Sequence, residues 1–83
     1  MTGKKTVTHT AMRDVTINVT PVELYKILKF EGLVGSGAEA KAVIAEGQVT
    51  LNGVVETRKR KKIVGGDIIA FGAQTLHIVF VEV

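Results

Sequence analysis

Two different spacings of apolar residues take turns along this chain. Val15, Ile17 and Val19 alternate with Thr16, Asn18 and Thr20. A period of two predicts a half-buried strand. Leu24, Ile27 and Leu28 then recur at helical spacing, with Lys26 and Lys29 roughly opposite them. "TPVE" at residues 20 to 23 precedes this stripe and predicts the helix start: Thr20 as cap, Pro21 in the first helical position, Glu23 completing a capping box. Gly32 is the predicted stop. "SGAE" at residues 36 to 39 repeats the capping box with Ser36 and Glu39. Behind it Ala40, Val43 and Ile44 form a second buried stripe, and Gly47 ends the helix. Ala38, Ala42 and Ala45 occupy the other side.

The period then returns to two. Val49 and Leu51 lead into Asn52-Gly53, and Val54 and Val55 follow. Asn-Gly between such runs predicts a hairpin, because both residues tolerate the positive φ of a type I′ turn. "VGGD" at residues 64 to 67 predicts another turn. Ile68 to Phe71 and Leu76 to Val81 predict two more strands, with residues 72 to 74 between them. The expected order is strand, helix, helix and four short strands. That makes an α+β domain: two helices in the N-terminal half, packed on a small, mainly antiparallel sheet of about five strands. Residues 1 to 13 are polar and patternless and are expected to form a flexible arm. Residues 14 to 83 are expected to form a single domain.

Composition narrows the function classes. With no Cys, neither disulfides nor thiolate metal sites are available. No apolar run approaches the roughly 18 residues that cross a bilayer, and the N-terminus has no secretory pattern, so the expectation is a cytoplasmic protein. "GSGAEA" at residues 35 to 40 matches a dinucleotide-binding spacing, but a helix precedes it where the fingerprint needs a strand. A turn with a helix cap accounts for it. The free N–H groups at the start of that helix could still receive a phosphate oxygen. His9 and His77 are the two histidines, and no set of further ligands is evident around either. His77 is expected to face outward from the last strand. No nucleophile frame or carboxylate pair is identifiable. The expectation is no catalysis, no cofactor, no metal and no small-molecule substrate.

One segment stands apart. "ETRKRKK", residues 56 to 62, places Arg58, Lys59, Arg60, Lys61 and Lys62 in series. These five exceed the whole net charge of +3, so the rest of the chain is net acidic. In an extended segment Arg58, Arg60 and Lys62 would face one way and Lys59 and Lys61 the other. Charge of this density without partners cannot enter an apolar core, so the segment is expected to be exposed. An edge guarded against aggregation needs a lysine or two. Five cations in series, two of them Arg, fit a polyanion better: like-signed clusters gain affinity from counterion release, and Arg forms bidentate pairs with phosphate.

"LYKILKFEGLVGSGAEAKAVIAEGQVTLNGVVETRKRKKIVGGDII", residues 24 to 69, resembles the αL RNA-binding motif. This is the module of ribosomal small-subunit protein S-four, found also in tyrosyl-tRNA synthetases, pseudouridine synthases and a ribosome-associated heat-shock protein. The resemblance rests on Ser36, Ala40, Ile44, Gly47, Val49, Asn52-Gly53 and Gly66-Asp67-Ile69, and is nearest to the small stand-alone bacterial members. It implies a non-catalytic protein that binds structured RNA, ribosomal or tRNA-like, through one basic surface. By the resemblance Lys41 falls where the family usually has a basic residue on the second helix, and the basic run falls on the segment beyond the hairpin. RNA contact is expected at these, namely Lys41, Arg58, Lys59, Arg60, Lys61 and Lys62, and at the N–H donors of the helix start at Ser36 and Gly37. Two positions depart from the family pattern. Glu23-Leu24-Tyr25 stands where Arg-Leu-Asp is usual, and Gly37 where Arg usually follows the capping Ser. With one Tyr and three Phe in the chain, recognition is expected through shape and phosphate spacing rather than base stacking. The alternative is a module that docks, through the alanine face of the second helix, on a ribosomal or ribosome-associated protein or an RNA-modifying enzyme. Membrane attachment is not expected, since the basic run lacks an amphipathic helix or lipid anchor.

Overall fold

The computed structural model describes residues 11–82. The first ten residues, with His9 and most of the expected arm, lie outside that range. In chain order the elements are β1 (Ala11–Ile17), β2 (Val22–Glu23), α1 (Leu24–Phe30), α2 (Gly37–Ala45), β3 (Val49–Leu51), β4 (Val54–Val55), β5 (Lys62–Ile63), β6 (Ile68–Phe71) and β7 (Gln74–Phe80). The main sheet has five strands in the order β1-β7-β6-β3-β4, and β2 pairs with β5 separately. β1 runs parallel to β7, and every other pair is antiparallel. The expected α+β architecture is therefore present.

Both helical stripes reach one core. α1 contributes Leu24, Ile27 and Leu28, and α2 contributes Ala40, Val43 and Ile44. They join Val15, Val49, Leu51, Ile63, Ile69, Leu76 and Ile78 from the strands. A Leu or Ile buried this completely contributes about 1.5–3 kcal/mol. Both helices end in the same way. Gly32 and Gly47 take φ of 76° and 78°. In α1 the Leu33 N–H donates to the Leu28 carbonyl, and in α2 the Gln48 N–H donates to the Val43 carbonyl. This paired-bond ending satisfies carbonyls that have no partner inside the helix.

The hairpin forms as its sequence predicts. Asn52 and Gly53 have φ of 53° and 87°, and Leu51 faces Val54. Asn52 does more than turn the chain. Its side-chain oxygen accepts the Ile68 N–H at 2.8 Å, and its amide nitrogen donates to Asp67 Oδ1 at 3.1 Å. Asp67 Oδ2 in turn accepts the Val64 N–H at 3.0 Å. Asn-Gly and Gly-Asp are thus two halves of one clip that joins the β3–β4 turn to the turn before β6.

Three expectations shift. The first helix begins at Leu24, and its cap is Glu23, whose side chain makes no capping bond. Thr20 and Pro21 lie outside the helix, because Val22 and Glu23 are drawn into a ladder with Ile63 and Lys62. Long-range pairing overrides the local box. The first strand spans residues 11 to 17 and stops short of Val19, where the alternation would carry it, since β7 supplies partners from Gln74 to Phe80. Residues 11 to 13, expected within the arm, belong to this strand, while Val19 lies beyond it and is 63% exposed. The last strand starts at Gln74, which shortens the preceding turn to residues 72 and 73.

Candidate nucleic-acid interface

The basic run does not form a continuous strand. The chain turns at Lys59 and Arg60, with the Lys61 N–H donating to the Arg58 carbonyl at 3.1 Å, and Lys62 alone of the run enters β5. The alternation expected for an extended segment is therefore absent. Folded this way, Arg58, Arg60, Lys61 and Lys62 line an open concavity of about 400 Å³, and Lys59 lies off its wall.

The loop is seated on the start of α1. The Leu24 N–H donates to the Lys61 carbonyl at 2.9 Å, and the Tyr25 N–H to the Lys59 carbonyl at 3.0 Å. The first N–H groups of a helix have no partner within it, so the basic loop acts as the cap that Thr20 was expected to provide. Cations at the positive end of a helix are unfavourable. Glu23 offsets this locally. Its Oε1 accepts from Arg60 Nη1 at 3.3 Å and lies 3.7 Å from Lys26 Nζ.

Tyr25 draws the remaining pieces together. Lys41 Nζ from α2 sits 4.7 Å from the ring centre, Arg60 Cζ 5.4 Å and Lys26 Nζ 6.0 Å. Such contacts contribute about 0.5–1 kcal/mol each at exposed sites. A β-carbon at Gly37 would lie 4.0 Å from the Tyr25 ring and 4.0 Å from the Lys29 side chain. The first turn of α2 therefore adjoins the same ring. Its cap is formed: Ser36 Oγ accepts the Glu39 N–H at 3.1 Å, while Glu39 Oε1 accepts the Gly35 N–H at 2.8 Å. That carboxylate stands near the helix start offered as an anion site.

Electrostatics divide the run. Glu56, 9% exposed, accepts three bonds from Arg58: backbone N–H at 3.0 Å, Nε at 2.9 Å and Nη2 at 3.2 Å. The Arg58 side-chain bonds hold the Glu56 carboxyl below its usual range, against an opposing push from burial, and Lys61 adds to the lowering. Glu56 in turn raises the pKa of Arg58. Both arginines thus hold carboxylates, whereas Lys59, Lys61, Lys62, Lys41 and Lys29 form no ion pair among the described residues.

Nothing in the sequence pattern assigns Lys26, Lys29 or Glu56 to this site, and Glu23 and Tyr25 stand out there only as departures from the family pattern. Helical spacing does put Tyr25 and Lys29 on neighbouring turns. Nothing local marks Glu56 as buried. Elsewhere, His77 faces Asp14 across the parallel pair at 3.1 Å and is partly exposed. Among the described residues no three His, Asp or Glu side chains converge as metal ligands, and no helix is long and apolar enough to cross a membrane.

Fold and surface together define a small α+β module with a cationic concavity seated on a capped helix pair. The chain belongs to the S4 domain family, whose profile matches residues 15–79. It is 53% identical over 58 residues to "Putative RNA-binding protein YbcJ" of Escherichia coli K12, covering 70% of this chain and 83% of that one. The same identity and coverage hold for "Uncharacterized protein YbcJ" of Shigella flexneri. The solution structure of Escherichia coli YbcJ superposes with a TM-score of 0.61 at 42% identity, covering 93% of this chain and 96% of that one. That structure is described as revealing an alfaL motif involved in RNA-binding.

Proposed function

We propose that this chain is a non-catalytic cytoplasmic protein that binds structured RNA, ribosomal or tRNA-like, by its phosphates. The observation that carries this reading is the concavity lined by Arg58, Arg60, Lys61 and Lys62. Four cations facing one hollow attract a polyanion far more strongly than a neutral ligand. Lys59 extends the positive surface at the turn. Lys41, held over Tyr25, continues it toward α2, where Ser36 and Gly37 begin the helix. Family membership and the RNA-binding descriptions attached to YbcJ support the same partner.

Titration of the full chain with an RNA hairpin at two salt concentrations tests it. Binding should weaken steeply with salt. Replacing Arg60, Lys61 and Lys62 together with Ala should cost about tenfold or more in affinity and flatten the salt dependence. If affinity and salt dependence both stay put, the concavity is not the RNA site.

A second reading has one observation in its favour. Ala38, Ala42 and Ala45 form an exposed strip of small side chains on α2. Docking of that strip on a ribosome-associated protein or RNA-modifying enzyme predicts co-purification that survives nuclease treatment.

A further inference from the structure

A surface that attracts polyanions gains no affinity from a carboxylate at its rim. Glu56 nevertheless stands two residues before the first cation of the run and is 9% exposed. Its N–H donates to the Val49 carbonyl at 3.0 Å, which ties it to β3 and the sheet. Its two carboxylate oxygens take the Arg58 backbone N–H, Nε and Nη2, a side-on grip that folds the guanidinium back along the chain. The far end of the loop is anchored too, by the Lys59 and Lys61 carbonyls on the first N–H groups of α1. Glu23 holds Arg60 at 3.3 Å. The loop backbone is therefore held at both ends, and the guanidinium groups of Arg58 and Arg60 are held at set positions beside the concavity.

Counterion release rewards the number of cations, whatever their arrangement. A run without Glu56 would carry one more unit of uncompensated positive charge and bind any polyanion more tightly. What Glu56 supplies is geometry. Arg58 keeps free N–H groups on the side away from the carboxylate, since Nη1 takes no part in the pair.

We propose that Glu56 is a specificity-determining positioning residue: by clamping Arg58 it fixes where that guanidinium stands beside the concavity, so that the site favours the rigid phosphate array of double-helical RNA over a flexible single strand. This rests on the RNA reading above. It deepens that reading by assigning the choice between forms of RNA to a residue that touches no phosphate.

The test compares a stem-loop RNA with a uridine homopolymer of the same length, each titrated into the full chain at two salt concentrations. Wild type should prefer the stem-loop. Glu56→Gln removes a negative charge and should tighten binding to the homopolymer, while the stem-loop preference falls about threefold or more. Arg58→Lys keeps the net charge and loses the bidentate grip. It should lose stem-loop preference without gaining affinity for the homopolymer. Thermal melting establishes which variants are folded, and a single folded variant suffices for the comparison. If both RNAs gain equally in Glu56→Gln, or Arg58→Lys keeps the wild-type preference, the proposal is overturned. Wild-type binding to both RNAs without preference also overturns it while leaving the RNA reading intact. Binding to neither RNA overturns both.

Discussion

At the scale of single residues, the Glu56–Arg58 pair couples the site to acidity. Arg58 lowers the Glu56 carboxyl below its ordinary value of 4.5. A group with a depressed folded pKa stabilises the fold above its unfolded value, and that contribution is lost as pH falls through the folded one. Wild type should therefore be more stable than Glu56→Gln at neutral pH. The gap should close as pH drops below about 4.5, which thermal melts across an acid series will read. A different constraint acts at Gly65. A β-carbon there would lie 2.9 Å from Phe80 Cβ and 3.2 Å from the Phe80 nitrogen. Such an overlap forces the turn away from β7, so Gly65→Ala should destabilise by about 1–3 kcal/mol in denaturant unfolding. Both effects hinge on residues distant in sequence or on burial. The pattern marks Gly65 as part of a turn but not its approach to Phe80, and it does not mark Glu56 as buried.

Among the elements, the two helix starts behave differently, and the contrast explains what was legible beforehand. The α2 cap is local: Ser36 and Glu39 lie three residues apart, and the predicted bond is present. The α1 cap is not local. Its N–H donors go to Lys59 and Lys61, more than thirty residues away, so no window around Thr20 could reveal it. This arrangement joins helix stability to loop position. RNA that holds the basic loop in place should slow amide hydrogen exchange at Leu24 and Tyr25 more than at Ile44, in the middle of the second helix. Equal slowing throughout the chain would instead indicate global stabilisation by ligand binding. The Asn52–Asp67 clip belongs to the same scale. Two motifs legible as separate turns prove to be one bonded unit.

For the molecule as a whole, the charge available to a ligand is smaller than the run suggests. Arg58 and Arg60 hold carboxylates, so Lys59, Lys61 and Lys62 are the run's cations without ion pairs among the described residues. A duplex RNA should therefore release counterions as though about three to four phosphates were neutralised, a slope of roughly −3 in log affinity against log salt. A slope of −5 or steeper would mean that more cations meet phosphate, either Lys29 and Lys41 or the two arginines released by Glu56 and Glu23. Affinity measured over a salt series separates the two. The sequence by itself determined the two helical stripes, the Asn-Gly turn, the helix-ending glycines and the local α2 cap, because each depends on side chains within a few positions of one another. It also determined that a dense cationic segment must be exposed, since such charge cannot be buried unpaired. Tertiary structure alone decided that the run turns rather than extends, that its carbonyls cap α1, and that Glu56 and Glu23 occupy its arginines. Those outcomes depend on which distant backbone groups and carboxylates the fold brings within hydrogen-bonding distance, and no spacing along the chain encodes that distance.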